Sequence, residues 1–162
     1  MIYTAHYTSP LGGITLTSDG IALTGLYFDG ETGCPLCDAA YKKNLPVFGE
    51  AMRWLDLYFA GKEPHFMPVL NPTGTAFQML VWAILQTIPY GGTTTYGAIA
   101  KRLEKSTGKR MSAQAVGGAV GRNPISILIP CHRVIGANGS LTGYAGGLDK
   151  KEYLLRTEGF YS

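Results

Sequence analysis

The sequence predicts two domains of different class: an N-terminal α/β domain on a small antiparallel sheet, residues 1–66, and a helical C-terminal domain with a helix-turn-helix, residues 73–162. Three observations carry this. Residues 1–30 alternate apolar and polar side chains between glycine-bearing turns, the pattern of half-buried strands. Residues 62–72 hold Pro64, Pro68 and Pro72, which keep the chain extended, and residues 67–72 read as an interdomain linker. From Thr75 onward apolar residues recur at helical spacing, each run opened by a capping residue.

Tyr3, Ala5 and Tyr7 alternate with polar residues, Ser9-Pro10-Leu11-Gly12-Gly13 turns the chain, and Ile14 and Leu16 begin a second strand. Ser18-Asp19-Gly20 is the next turn, before a third strand within Ile21 to Phe28. Cys34-Pro35-Leu36-Cys37 has the spacing of a zinc half-site or a redox pair. Only His6 and His65 could complete a zinc site, and no thioredoxin-like βαβ pattern surrounds the motif, so an incidental loop pair is favoured. Val47 to Ala60 is helical, with Phe48, Ala51, Met52, Leu55, Tyr58 and Phe59 on one face, and Gly61 stops it.

Thr75-Ala76-Phe77-Gln78 is a capping box, threonine at the cap and glutamine three residues on. Phe77, Leu80, Val81, Ile84, Leu85 and Ile88 follow as a buried stripe, until Pro89 ends the helix. A short helix, Tyr96 to Leu103, leads through a basic turn, Glu104 to Met111, to a second helix that Ser112 caps. The inner face of that helix is Ala115, Val116, Ala119 and Val120; its outer face is Gln114, Gly117, Gly118 and Gly121. Glycine in a helix costs about 1 kcal/mol relative to alanine, so a glycine face implies close approach of another backbone. A packed neighbouring helix and a DNA backbone both fit that requirement, and the basic surroundings favour DNA in a narrow groove.

Charge supports the same reading. The chain is +3 overall, but Lys101 to Arg133 carries seven basic residues and one acid, a net +6. A concentrated basic segment is the footprint of a polyanion. No window has the length and apolarity of a membrane span, and the N-terminus has no secretory pattern, so a cytoplasmic protein is expected. Three cysteines fit a reducing compartment.

The chemistry is concentrated in Ile127-Leu128-Ile129-Pro130-Cys131-His132-Arg133-Val134-Ile135. Most free cysteines are only small buried hydrophobes. Here a histidine and an arginine follow the thiol directly, and cationic neighbours favour the nucleophilic thiolate. A glycine-rich loop, Gly136 to Gly147, carries Tyr144 and suits the lip of a pocket for a planar ligand. Lys150 to Glu158 closes the chain as a helix whose Glu158 lies near the inward face, with His132 as a candidate partner.

Asn123-Pro124-Ile125-Ser126, then Ile129-Pro130-Cys131-His132-Arg133-Val134, then Gly139-Ser140-Leu141-Thr142-Gly143-Tyr144-Ala145-Gly146-Gly147 resembles the active-site signature of the O6-alkylguanine-DNA alkyltransferases. The resemblance runs from Ser9-Pro10-Leu11-Gly12 to Glu158-Gly159. It implies a ribonuclease-H-like N-terminal domain and a winged-helix-like C-terminal domain. It also implies a suicide transferase, a methylated-DNA–protein-cysteine methyltransferase that moves an alkyl group from a flipped-out guanine to its own cysteine.

By that resemblance Cys131 is the acceptor, His132 the base acting through water, and Glu158 the carboxylate that orients it. Tyr96, Asn123, Val134, Tyr144 and Ala145 would bind the target nucleotide. Thr95, Tyr96, Gln114, Ala115, Gly118 and Arg122 would contact DNA. Gln114 stands where many members carry an arginine finger, and Ala145 where some carry a serine. The chemistry asks for neither metal nor cofactor. The expected partner is alkylated double-stranded DNA, met in the minor groove by a monomer, with cooperative binding along the duplex left open. Two rivals are a Cys–His hydrolase, for which the basic helices would have no use, and a non-catalytic lesion-binding module, whose members lack the cysteine.

Overall fold

The computed structural model describes residues 2–30, 41–42, 44–144 and 146–160. The Cys34/Cys37 pair and Ala145 lie outside the described residues. The chain divides into two compact units: Met1–Thr73 with Pro124–Ser126, and Gly74–Asn123 with Ile127–Ser162.

The first unit is a four-stranded sheet in the order β3-β2-β1-β4. β1 (Tyr3–Ser9) pairs antiparallel with β2 (Gly12–Ser18), and β2 pairs antiparallel with β3 (Leu23–Phe28). The short β4 (Tyr41–Lys42) runs parallel to β1. Both hairpin turns are closed by side chains. Ser9 donates to Gly12 O at 2.7 Å and accepts from Leu11 N, and Gly12 takes φ 101°, a left-handed value suited to glycine. The Asp19 carboxylate accepts from Ile21 N and Ala22 N, bonds that hold its pKa below the ordinary value.

α1 (Pro46–Phe59) buries Val47, Phe48, Ala51, Trp54, Leu55 and Tyr58. Met52 and Phe59, expected on that face, are half-buried, and Trp54 takes their place, stacked on Tyr58 with ring centroids 5.2 Å apart. The stretch expected as a linker is extended, but three of its residues join the sheet. Leu23 N donates to Val69 O and Asn71 N donates to Leu23 O, both at 2.8 Å, so an extra strand segment covers the start of β3.

The second unit is helical: α2 (Ala76–Leu85), α3 (Tyr96–Thr107), α4 (Ala113–Gly121) and α5 (Leu148–Thr157). Both halves of the capping box on α2 form: Gln78 N donates to Thr75 Oγ1, and Thr75 N donates to Gln78 Oε1. Its buried face is Val81, Trp82 and Leu85, whereas Leu80 is 44% exposed. The stripe is rotated from the expected one because Trp82 Nε1 donates to Ala119 O at 2.9 Å, which turns the largest side chain of α2 toward α4.

α3 runs a turn further than the periodicity predicts, to Thr107, and Gly108 ends it at φ 72°. Ser112 caps α4, accepting from Ala115 N at 3.0 Å. Ala115, expected inside, is exposed; Val116, Ala119 and Val120 form the buried face. A parallel two-stranded ladder pairs β5 (Thr94–Thr95) with β6 (Val134–Ile135). It ties the start of α3 to the segment just after Cys131.

Candidate active site

The approach to Cys131 is held by backbone geometry at three successive points. Ile127 is fully buried at φ 71°, a left-handed value that costs a β-branched residue about 1–3 kcal/mol. Asn123 Nδ2 donates to Ile129 O at 2.7 Å in a buried bond. Cys131 N donates to the same carbonyl at 2.8 Å across Pro130, whose φ −81° and ψ 65° make an inverse γ-turn. A single 3₁₀ turn, Cys131–Arg133, follows, and all three of its residues are buried. The apolar run before the cysteine therefore forms turns, not a strand, and it places the thiol rigidly.

His132 is completely buried, and its Nε2 lies 2.5 Å from Glu158 Oε2. Glu158 caps α5, where the last turn aims it inward. Its other oxygen accepts from Arg133 Nε at 2.7 Å and from Gly91 N at 3.0 Å. Burial opposes ionisation of Glu158, but the bonds and charges of His132 and Arg133 outweigh it and hold the pKa at about 2. Burial pushes the His132 pKa down against the pull of Glu158, and the nearby Arg133 and Lys151 charges push it further. The resting pair is therefore a neutral imidazole beside an ionised carboxylate. An ionised carboxylate only accepts, so Nε2 carries the proton and Nδ1 carries the basic lone pair.

Of the other residues expected in the pocket, Val134 and Tyr96 are tied to this turn through the β5–β6 ladder. Val134 lies in β6, opposite Thr94. Tyr96 opens α3, and its hydroxyl donates to Thr142 O at 3.0 Å, across to the glycine-rich loop. Tyr144 is half-buried in that loop.

Of the residues expected to meet DNA, Thr95 and Tyr96 are half-buried at the start of α3, and the other four form an exposed group. Gln114, Ala115, Gly118 and Arg122 are exposed along α4 and its end. A Cβ placed on Gly118 or Gly121 would meet nothing within 4 Å, so this face is open, not packed against another helix. Gly117 differs slightly, since a Cβ there would lie 3.7 Å from the Tyr96 ring. The Thr95 hydroxyl accepts from Ala98 N at 3.1 Å as the cap of α3.

Two buried cations were not singled out in the sequence as site residues. Arg133, counted above with the basic surface, is 8% exposed; besides its bond to Glu158, it donates to Ile88 O at 2.6 Å. The exposed basic segment therefore ends at Arg122 and carries six basic residues against Glu104, a net +5. Lys151 is fully buried and donates to Val134 O at 2.5 Å and Thr142 O at 2.6 Å. A lysine beside Leu154 and Leu155 at helical spacing was the available signal. Among the described residues no group of three His, Cys, Asp or Glu could hold a metal ion, and no helix is long and apolar enough to cross a membrane.

A buried thiol followed directly by an imidazole paired with a carboxylate, in a helical domain with a bare helix face beside a basic segment, is the arrangement expected of a nucleophilic-cysteine protein of the helix-turn-helix class. Comparison with known proteins narrows the class. Residues 76–160 match the DNA binding domain of 6-O-methylguanine DNA methyltransferase, and residues 2–69 match the ribonuclease-like domain of the same family. The methylated-DNA–protein-cysteine methyltransferase of Methanosarcina acetivorans is 48% identical over 159 residues, covering 98% of this chain and 99% of its own length. That of Haemophilus influenzae is 42% identical over 97% of this chain and 86% of its own. The crystal structure of Mycobacterium tuberculosis O6-methylguanine methyltransferase superposes with a TM-score of 0.86 at 43% identity, over 98% of this chain and 93% of that chain. A structure of the Mycobacterium tuberculosis protein in complex with DNA gives a TM-score of 0.83, over 97% and 91%. This chain belongs to the O6-methylguanine DNA methyltransferase family.

Proposed function

We propose that Cys131 accepts the alkyl group of an O6-alkylguanine turned out of duplex DNA, and does so once per molecule. The observation that carries this is the 2.5 Å bond between His132 and Glu158, placed immediately after a buried thiol. His132 Nδ1, through a bridging water, takes the thiol proton, and the imidazolium that forms is stabilised by the Glu158 carboxylate. The thiolate attacks the alkyl carbon; the S–C bond forms as the C–O6 bond breaks, and guanine keeps the electron pair and takes up a proton. The product thioether has no leaving group that water could displace, so the protein does not turn over.

The target carbon is hidden in a stacked base, so the nucleotide has to leave the duplex. α4 approaches the minor groove with its glycine face. Thr95, Ala115, Gly118 and Arg122 contact the backbone, and Gln114 fills the gap left by the flipped base. Tyr96 turns the nucleotide, and Tyr144 and Ala145 close the pocket over it. Asn123 holds the Ile129 carbonyl, and Val134 presents backbone to the guanine edge. Residues 73–162 would carry both DNA binding and transfer, as a monomer in a reducing cytoplasm. Mass spectrometry after incubation with O6-methylguanine DNA tests this: one added methyl on Cys131 is expected, and Cys131→Ala should bind DNA but transfer nothing. Methyl removal by Cys131→Ala would overturn the assignment.

A further inference from the structure

Among the described residues, Lys151 is the one fully buried cation that the transfer chemistry leaves without a role. Its ammonium donates to the carbonyls of Val134, Thr142 and Gly143, the last at 3.3 Å. These acceptors belong to two separate segments of the chain: Val134 follows the cysteine turn, and Thr142–Gly143 belong to the glycine-rich loop. The Thr142 carbonyl also accepts from the Tyr96 hydroxyl, so one atom joins Lys151, the lip and the head of α3.

Charge makes the arrangement specific. Glu158 is ionised and balanced by Arg133. None of the acceptors of Lys151 is a carboxylate. With Cys131 as a thiol, Glu158, Arg133 and Lys151 together carry one uncompensated positive charge. Passing the thiol proton to His132 leaves that sum unchanged, but it puts the negative charge on the thiolate, within electrostatic reach of Lys151, and the new positive charge on the imidazolium beside Glu158. A methionine would fill much the same volume without burying a charge, which is costly inside a protein. Burial pulls the Lys151 pKa down to about 8, and the Cys131 thiolate opposes that pull. The other titratable groups that bear on it are His132, whose imidazolium form its charge disfavours, and Tyr96 on the shared carbonyl.

We propose that Lys151 is a positioning residue for alkyl transfer, its ammonium clasping the lip Thr142–Gly143 to Val134 and supplying the charge against which the Cys131 thiolate forms. This rests on Cys131 being the alkyl acceptor. The clasp is whole below pH 8 and weakens as the pH rises through about 8, where the ammonium loses its proton.

The test is the rate of methyl addition to Cys131, by intact mass, for the full chain and Lys151→Met between pH 6.5 and 9.5, with folding checked by thermal melts. The parent rate should fall above pH 8. The variant should be at least about tenfold slower at pH 7 on both duplex DNA and free O6-benzylguanine, the cost of one charge-assisted hydrogen bond. Its rate should keep climbing above pH 8, because its thiol ionises later. A folded variant whose profile keeps the shape of the parent's, scaled or not, overturns the proposal. Should the variant not fold, amide exchange in the unmodified chain decides. Protection of residues 141–144, corrected for the chemical rate, should drop about tenfold between pH 7 and 9, and constant protection overturns the proposal. Absence of methyl on Cys131 in the parent at every pH would instead refute the acceptor assignment, and the proposal with it.

Discussion

Replacing Glu158 by glutamine separates its electrostatic role from its shape. The carboxylate takes three bonds: from His132 Nε2, and from Arg133 Nε and Gly91 N on the other oxygen. Glutamine keeps one oxygen. Set where two donors converge, it leaves its NH₂ facing His132 Nε2, which then has to accept. The imidazole proton moves to Nδ1, and the base that Cys131 needs is gone. In a serine-protease triad the equivalent change of a buried carboxylate costs about ten-thousandfold in rate, so a loss of a thousandfold or more is expected. Stability should fall too, since the shift of Glu158 from 4.5 to about 2 corresponds to about 3 kcal/mol at 1.36 kcal/mol per unit. The side chain is 1% exposed, so solvent screening removes little of this. Because the folded pKa is the lower one, that contribution is complete above pH 4.5 and disappears as the pH falls toward 2. Denaturant titration should therefore show a flatter pH dependence for Glu158→Gln across that window, and intact mass should show slow methylation with a raised apparent thiol pKa. Transfer within tenfold of the parent and an unshifted pH profile would remove Glu158 from the mechanism.

Other outcomes follow from the open face of α4. With six exposed basic residues between Lys101 and Arg122, and about four of them meeting phosphates, duplex affinity should fall roughly a hundredfold between 50 and 200 mM salt; a fall of only a few-fold would exclude a mainly phosphate-driven interface. Gly118→Leu meets open space, so it should stabilise the fold by up to about 1 kcal/mol through helix propensity while weakening duplex binding, read by melting and titration. Unchanged duplex binding would move the interface elsewhere. Gln114→Ala should slow repair of duplex DNA far more than reaction with free O6-benzylguanine, which needs no flipping. Equal slowing on both substrates would mean that Gln114 shapes the pocket instead.

Where local rules act alone, the structure follows the sequence closely. Ser9, Asp19, Thr75 and Ser112 each announce a turn or cap, and each forms it through its own side chain. The sequence was less informative wherever a distant partner decides. Helical spacing on α2 could not tell that Trp82 reaches Ala119 O and turns Leu80 outward. The same limit hid Arg133, whose sequence neighbours make it look like surface charge but whose bonds go to Glu158 and Ile88. Hydrophobicity also says nothing about Ile127 at positive φ, because apolar runs do not encode backbone handedness. The pairing of His132 with Glu158 was legible as a possibility, since an inward carboxylate demands a partner; its geometry was not.

The buried charges and the chemistry explain one another. A buried ionic network is no obstacle to turnover, since its cost is met when the chain folds. A thiol that reacts once simply has no later step for its site to accommodate. Its site can be optimised for one event: Ile127 and Asn123 fix the turn, Glu158 holds the imidazole tautomer, and Arg133 balances the carboxylate. Each of these fixes geometry before the substrate arrives, which is where an entropic advantage is gained. None supplies a group able to break a C–S bond, and His132 can only return a proton. Rigid preorganisation without a route back is therefore consistent with single use, and it places the whole rate advantage on the state of the thiol before the reaction.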